Sequence, residues 1–101
     1  MDKISKAFAE SVRQKLKKHI KQIILFGSHA RGDFTESSDY DILIIVDNKE
    51  KEIQNTILDI CVEFMNKYYA LIGYVIYGEE EWQKKKNYPL GLNILKEGIK
   101  L

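Results

Sequence analysis

Gly27-Ser28-His29-Ala30-Arg31-Gly32-Asp33-Phe34-Thr35-Glu36-Ser37-Ser38-Asp39-Tyr40-Asp41 is the stretch on which the reading of this chain turns. It lies between two apolar, β-branched runs, Gln22 to Phe26 and Ile42 to Val46. Such runs predict strands. Gly27 and Ser28 end the first run and are expected to turn the chain into a short helix, Ser28 to Arg31. Small residues at a strand-to-helix turn expose backbone N–H groups that suit a phosphate. Ten residues separate Ser28 from Asp39-Tyr40-Asp41. Carboxylates spaced i, i+2 on a strand share one face, because side chains alternate. Paired acidic oxygens of this kind suit magnesium, which favours oxygen ligands and substrate phosphates. A phosphate cradle facing a metal clamp is the arrangement that nucleotidyl transfer from a nucleoside triphosphate requires.

Each candidate residue has a plainer reading. Gly27 and Ser28 could form a simple turn, and Asp39 a loop acid at a strand start. Asp41 resists that reading, because it directly precedes Ile42-Leu43-Ile44-Ile45-Val46. A carboxylate at the start of a buried strand is costly unless a metal or donors compensate it. Arg31 either pairs with Asp33 or Glu36 at the surface or contacts triphosphate oxygens in bidentate fashion. Ser38 is expected to cap or orient the Asp-x-Asp turn. His29 reads as a solvated helix residue rather than a ligand.

Gly27-Ser28, Arg31-Gly32 and Ser38-Asp39-Tyr40-Asp41 resemble the signature of the minimal nucleotidyltransferases of the DNA polymerase beta superfamily. Glu79-Glu80-Glu81-Trp82 resembles the acidic helix start after that family's third strand. Asn93-Ile94-Leu95-Lys96-Glu97-Gly98 resembles its C-terminal segment. The resemblance implies a small α/β nucleotidyltransferase fold, with a mixed three- to four-stranded sheet flanked by helices and its first two strands antiparallel. It implies Mg²⁺ held by Asp39 and Asp41, and ATP or another nucleoside triphosphate held at Gly27, Ser28, Arg31 and Ser38. It also implies a HEPN-domain partner protein, with this chain as antitoxin, and in some members AMP transfer onto that partner. One departure stands out. Family members carry a third carboxylate on the third strand, whereas residues 70–77, Ala-Leu-Ile-Gly-Tyr-Val-Ile-Tyr, contain no acid. Gly73 or Tyr74 takes its place, and Glu63, a water or the substrate would have to complete the site. The opposing expectation is therefore a module that binds nucleotide or partner without turnover.

The remaining chain frames these strands. Ile4, Phe8, Val12, Leu16 and Ile20 recur every four residues and predict an amphipathic helix, with Asp2 as its cap. The second strand is expected over Asp39 to Asp47. Asp47 or Asn48 would cap a helix whose core stripe is Ile53, Ile57, Ile60, Cys61, Phe64, Met65 and Tyr68. Ala70 to Tyr77 predicts a third strand, and Glu79 to Glu81 begin a short helix. Leu90 to Lys96 predicts a final helical turn or two, stopped by Gly98.

With 101 residues the chain reads as one domain, 1–101, too short for a separate substrate domain, so the acceptor is expected on another chain. Net charge is +1, so a general nucleic-acid surface is not indicated. The lysines near 15–21 and 84–86 read as helix C-terminal charges. The lone Cys61 reads as a buried thiol in a reducing compartment. No secretory pattern or membrane-length apolar run is present, and a cytoplasmic location is expected. Homo-oligomerisation stays open.

Overall fold

A computed structural model describes residues 3–101; the proposed Asp2 cap lies outside the described residues. The elements run α1 (Lys3–Leu16), a 3-10 turn (Lys17–His19), β1 (Ile20–Phe26), α2 (Ser28–Arg31) and β2 (Tyr40–Val46). They continue with α3 (Lys51–Tyr68), β3 (Ile72–Gly78), α4 (Glu79–Lys85), α5 (Pro89–Glu97) and β4 (Ile99–Lys100).

The sheet order is β3-β2-β1-β4. β1 runs antiparallel to β2 and to β4, whereas β2 and β3 are parallel. This mixed four-stranded sheet matches the expected architecture. β2 occupies the centre, and its apolar run explains why: Ile42, Leu43, Ile44, Ile45 and Val46 are all at most 1% exposed. Only a strand covered on both faces buries successive side chains. Each such side chain contributes roughly 1.5–3 kcal/mol by leaving water.

Alternation along the strands sorts the core into two layers. Ile23, Leu25, Ile42, Ile44, Ile72 and Ile76 face α1 and α3, packing with Phe8, Val12, Ile57 and Phe64. Ile24, Phe26, Leu43 and Ile45 face α4 and α5, where they meet Trp82 and Ile94. Asp41 has the same parity as Leu43 and Ile45, so its side chain is directed to the α4/α5 face.

Several boundaries differ from expectation. Ile20 opens β1 instead of closing the helix, because Lys17 adopts φ 46° and breaks the α-helical path. β2 begins at Tyr40, leaving Asp39 in the loop before it, and ends at Val46. Met65 and Tyr68 are 42% and 38% exposed, so the α3 core stripe ends at Phe64. Glu50 sits at the N-cap of α3. Asp47 instead accepts from the Asn48 N–H at 2.7 Å and pairs with His19 Nδ1 at 2.9 Å. Gly98 does end the last helix, though at φ −67°, and β4 follows it. No helix among the described residues is long and apolar enough to cross a membrane.

Candidate active site

The antiparallel register of β1 and β2 pairs Phe26 with Asp41, so the turn after β1 lies beside the Asp-x-Asp segment. Gly27 has φ 74° and ψ −157°, a region that is essentially glycine-only. A Cβ there would stand 2.2 Å from Asp41 Oδ2. The Asp41 carboxylate thus packs directly on the Gly27 backbone, and glycine is required by both conformation and space. The turn then enters α2, where the Ala30 and Arg31 N–H groups both donate to the Gly27 carbonyl, at 3.1 and 3.0 Å. Among the described residues the Ser28 N–H and hydroxyl have no protein partner. They are the donors that the turn presents outward.

Burial and the nearby Asp39 charge raise the Asp41 pKa above the ordinary carboxylate range, while His29 and Arg31 pull it the other way. Asp39 itself is exposed. The chemistry of this donor set fits magnesium delivered with a phosphate ligand. Mg²⁺ commonly takes one or two carboxylates and completes its shell with water and phosphate oxygens. It would also relieve the Asp39–Asp41 repulsion. Among the described residues no group of three His, Cys, Asp or Glu side chains forms a ready metal cage.

The parallel register decides which residue stands where a third carboxylate would be. Asp41 pairs with Gly73, and a Cβ on Gly73 would lie 3.6 Å from Asp41 Oδ1. Tyr74 pairs with Ile42 and packs into the opposite layer, where burial raises its phenol pKa. Tyr74 is therefore not the counterpart. Nor does Glu63 complete the site: it is exposed on α3, which covers the other face of the sheet.

Arg31 is tied down on both sides. Its Nε donates to Asp33 Oδ2 at 3.1 Å, and its Nη1 donates to Glu97 Oε1 and Oε2 at 3.2 and 3.3 Å. Those two carboxylates raise its pKa further above an already high value. The pairing with Asp33 is the one the plainer of the two readings of Arg31 named. Glu97 replaces Glu36 as the second partner. Glu97 Oε1 also accepts from the Gly27 N–H at 3.1 Å, so that donor is committed within the protein.

His29 is not a solvated bystander. Its ring stacks on Tyr40 at 3.8 Å and on Phe34 at 4.4 Å between centroids, and its Nε2–H donates to the Ser38 carbonyl at 3.1 Å. It fastens α2 to the residues just before Asp39. The Ser38 hydroxyl accepts from the Thr35 N–H at 2.9 Å, and the Ser38 N–H donates to the Thr35 carbonyl at 3.0 Å. Ser38 closes the loop onto Thr35, and its hydroxyl is engaged there. Sequence reasoning missed Glu97 and His29 as members of this constellation. The only signal for Glu97 was its place in a familiar C-terminal segment.

The chain matches the nucleotidyltransferase domain family over residues 5–97. It belongs to that family. A candidate protein adenylyltransferase of Methanocaldococcus jannaschii is 40% identical over 97 residues, covering 96% of this chain and 93% of its own. A second such protein from the same organism is 41% identical over 78 residues, covering 73% and 76%. In fold, this nucleotidyltransferase is similar to a candidate nucleotidyltransferase of Sulfolobus solfataricus, with TM-score 0.59 and 21% identity over 97% of this chain and 76% of that one. It is also similar to a toxin–antitoxin structure solved with AMP-PNP, with TM-score 0.64 and 14% identity over 93% and 69%. Another neighbour is the toxin–antitoxin pair MntA–HpeT, with TM-score 0.62 and 16% identity over 95% and 70%. At these identities the structural neighbours establish the fold of the nucleotidyltransferase alone.

Proposed function

We propose that this nucleotidyltransferase binds a magnesium–nucleoside triphosphate complex, ATP foremost, and transfers AMP to a hydroxyl of a partner protein. The observation that carries the reading is the packing of the Asp41 carboxylate on the Gly27-Ser28 turn. It brings the two halves of the motif into one site. The relatives described as protein adenylyltransferases support AMP as the transferred group and a protein as the acceptor. The toxin–antitoxin neighbours and the family resemblance support a HEPN-domain toxin as partner, with this chain as antitoxin.

The residues divide the work by chemistry. The Ser28 N–H and hydroxyl meet the β- and γ-phosphate oxygens at the start of α2. Arg31, the last residue of α2, adds positive charge beside the turn through its shared bond with Gly27 to Glu97. Asp39 and Asp41 would hold Mg²⁺, which neutralises phosphate charge and steadies the in-line geometry. His29 and Ser38 keep the Asp-x-Asp segment against the turn. The acceptor oxygen bonds to the α-phosphorus, the bond from that phosphorus to the bridging oxygen breaks, and pyrophosphate leaves. The hydroxyl proton is lost to solvent.

Charge makes this binding metal-dependent. Asp33 and Glu97 pair with Arg31, and Asp39 and Glu97 act on Asp41, so the site is acidic before any triphosphate arrives. A polyanion is repelled from it without a cation. A second reading, a nucleotide- or partner-binding module with little turnover, is favoured by Gly73 at the position of the third carboxylate.

Incubation with labelled ATP, Mg²⁺ and the protein encoded beside this chain should add one AMP mass to that protein. Asp39→Asn with Asp41→Asn should abolish the addition. Metal-dependent ATP binding without any mass change would select the second reading. ATP affinity that is indifferent to both metal and the double substitution would refute the site.

A further inference from the structure

We propose that Glu97 is the positioning residue of the nucleotide turn. Its carboxylate holds Gly27 and Arg31 in place from the far end of the chain and leaves Ser28 for the phosphates. α2 spans only four residues, Ser28–Arg31, so it has little cooperative stability of its own. Short helices are often secured by a capping box, in which a Glu or Gln at N3 reaches back to the N-cap N–H. Here N3 is Ala30, which has nothing to reach with. Glu97 supplies that carboxylate from 70 residues away, accepting the N-cap Gly27 N–H at 3.1 Å. The same Oε1 accepts Arg31 Nη1 at 3.2 Å, so one oxygen joins the start of α2 to its last residue.

The fold delivers Glu97 through three fixings. Ile94 on α5 is buried against the sheet layer that holds Ile24 and Phe26. Gly98 lets the backbone close on β1, since a Cβ there would fall 2.6 Å from Ile24 Cγ2 and 2.4 Å from the Ile94 carbonyl oxygen. β4 then pairs Ile99 with Leu25 and Lys100 with Ile24, in the strand that leads into Gly27. The Glu97 side chain is 23% exposed, so its bonds are partly shielded from solvent. A carboxylate that merely competed with phosphate would occupy the outward donors of α2. Glu97 takes the N-cap donor instead, and the Ser28 N–H and hydroxyl have no partner among the described residues.

The affinity consequence rests on the Mg·ATP reading above; the ordering of the turn does not. Both are measured on the full chain. In Glu97→Ala, ¹⁵N relaxation should show residues 27–32 more mobile than in wild type, and the Gly27 amide should exchange faster. Mg·ATP affinity by calorimetry should fall tenfold or more. Glu97→Gln keeps an acceptor for Gly27 and should recover part of both losses. It also decides the matter if the alanine variant does not fold: Gly27 protection should persist while Arg31 guanidinium rotation quickens, and unchanged Arg31 rotation would overturn the inference. A turn as ordered in Glu97→Ala as in wild type overturns it. So does tighter Mg·ATP binding in that variant, which would mark Glu97 as a competitor of the phosphates. If wild type binds no Mg·ATP at all, the nucleotide reading fails, and the relaxation and exchange data alone decide the role of Glu97.

Discussion

At Gly27 the side chain is a hydrogen atom, and the Asp41 carboxylate stands where a methyl group would be. Gly27→Ala therefore meets two obstacles, a backbone region reserved for glycine and a collision with a charged group. The strained backbone alone costs on the order of 1–3 kcal/mol. We expect a lower Tm and at least a tenfold loss of Mg·ATP affinity, measured by thermal melts and calorimetry. An alanine variant with wild-type affinity would reduce the turn to a structural element. Asp41 carries the opposite sign of effect. Its folded pKa is raised, so the native state binds the proton more tightly than the unfolded chain does. Ionisation then costs stability as pH rises past the ordinary carboxylate value of about 4. Asp41→Asn should melt higher than wild type at pH 7 without metal, with the gap closing toward pH 3. Mg²⁺ should raise the Tm of wild type but not of the variant. Asp47 is the counter-case. Its hydrogen bonds to His19 and the Asn48 N–H lower its pKa, so its contribution is present above the carboxylate range and is lost as pH falls. Asp47→Asn should thus destabilise at pH 7 and do nothing at pH 3, in the same melts.

Among the elements, β3 decides how the site is completed. Its parallel register sets Gly73 beside Asp41 and turns Tyr74 into the layer of α1 and α3. From the chain alone both positions were open, because a one-residue change of register exchanges the faces of every side chain. The two aspartate substitutions should differ sharply. Gly73→Asp places a carboxylate beside Asp41 and should raise Mn²⁺ affinity tenfold or more, about 1.4 kcal/mol. Its Tm without metal should drop from added repulsion. Tyr74→Asp puts a charge at a half-buried position in the layer of α1 and α3 and should lower the Tm with no gain in metal affinity. Equal metal affinity in Gly73→Asp and wild type, by calorimetry, would show that the Asp41 face does not collect a cation.

Across the whole molecule, the two layers protect one group whose chemistry reports on integrity. Cys61 on α3 is 8% exposed, and burial pushes its thiol up to about 12. A thiol in that state is almost wholly protonated at pH 8 and unreactive. A disulfide reagent should leave Cys61 unmodified in the native chain and label it only on unfolding, at a rate that follows denaturant. Rapid labelling under native conditions would mean that α3 opens readily from the sheet.

Local pattern and spacing sufficed for the strands, the long helices and the pairing of a Gly-Ser turn with Asp-x-Asp. These follow from patterns that act over a few residues: the unbroken apolar run of β2, the four-residue stripe of α1, the Gly-Ser turn at the end of an apolar run. Asp39 was expected on the strand with Asp41 and lies instead in the loop before it. Tertiary contact decided the rest. β4 is two residues long and carries no periodicity, yet its pairing with β1 brings the end of α5 to the Gly27 turn. Glu97 acts across a separation of 70 residues, which no local pattern encodes. His29 became a fastener because Tyr40 and Phe34 closed on both faces of its ring. Asp47 left its capping role for His19 because the antiparallel hairpin put the two side by side. Short-range propensities choose the elements, but the partners of a polar side chain are chosen by whichever groups folding brings within about 3 Å of it.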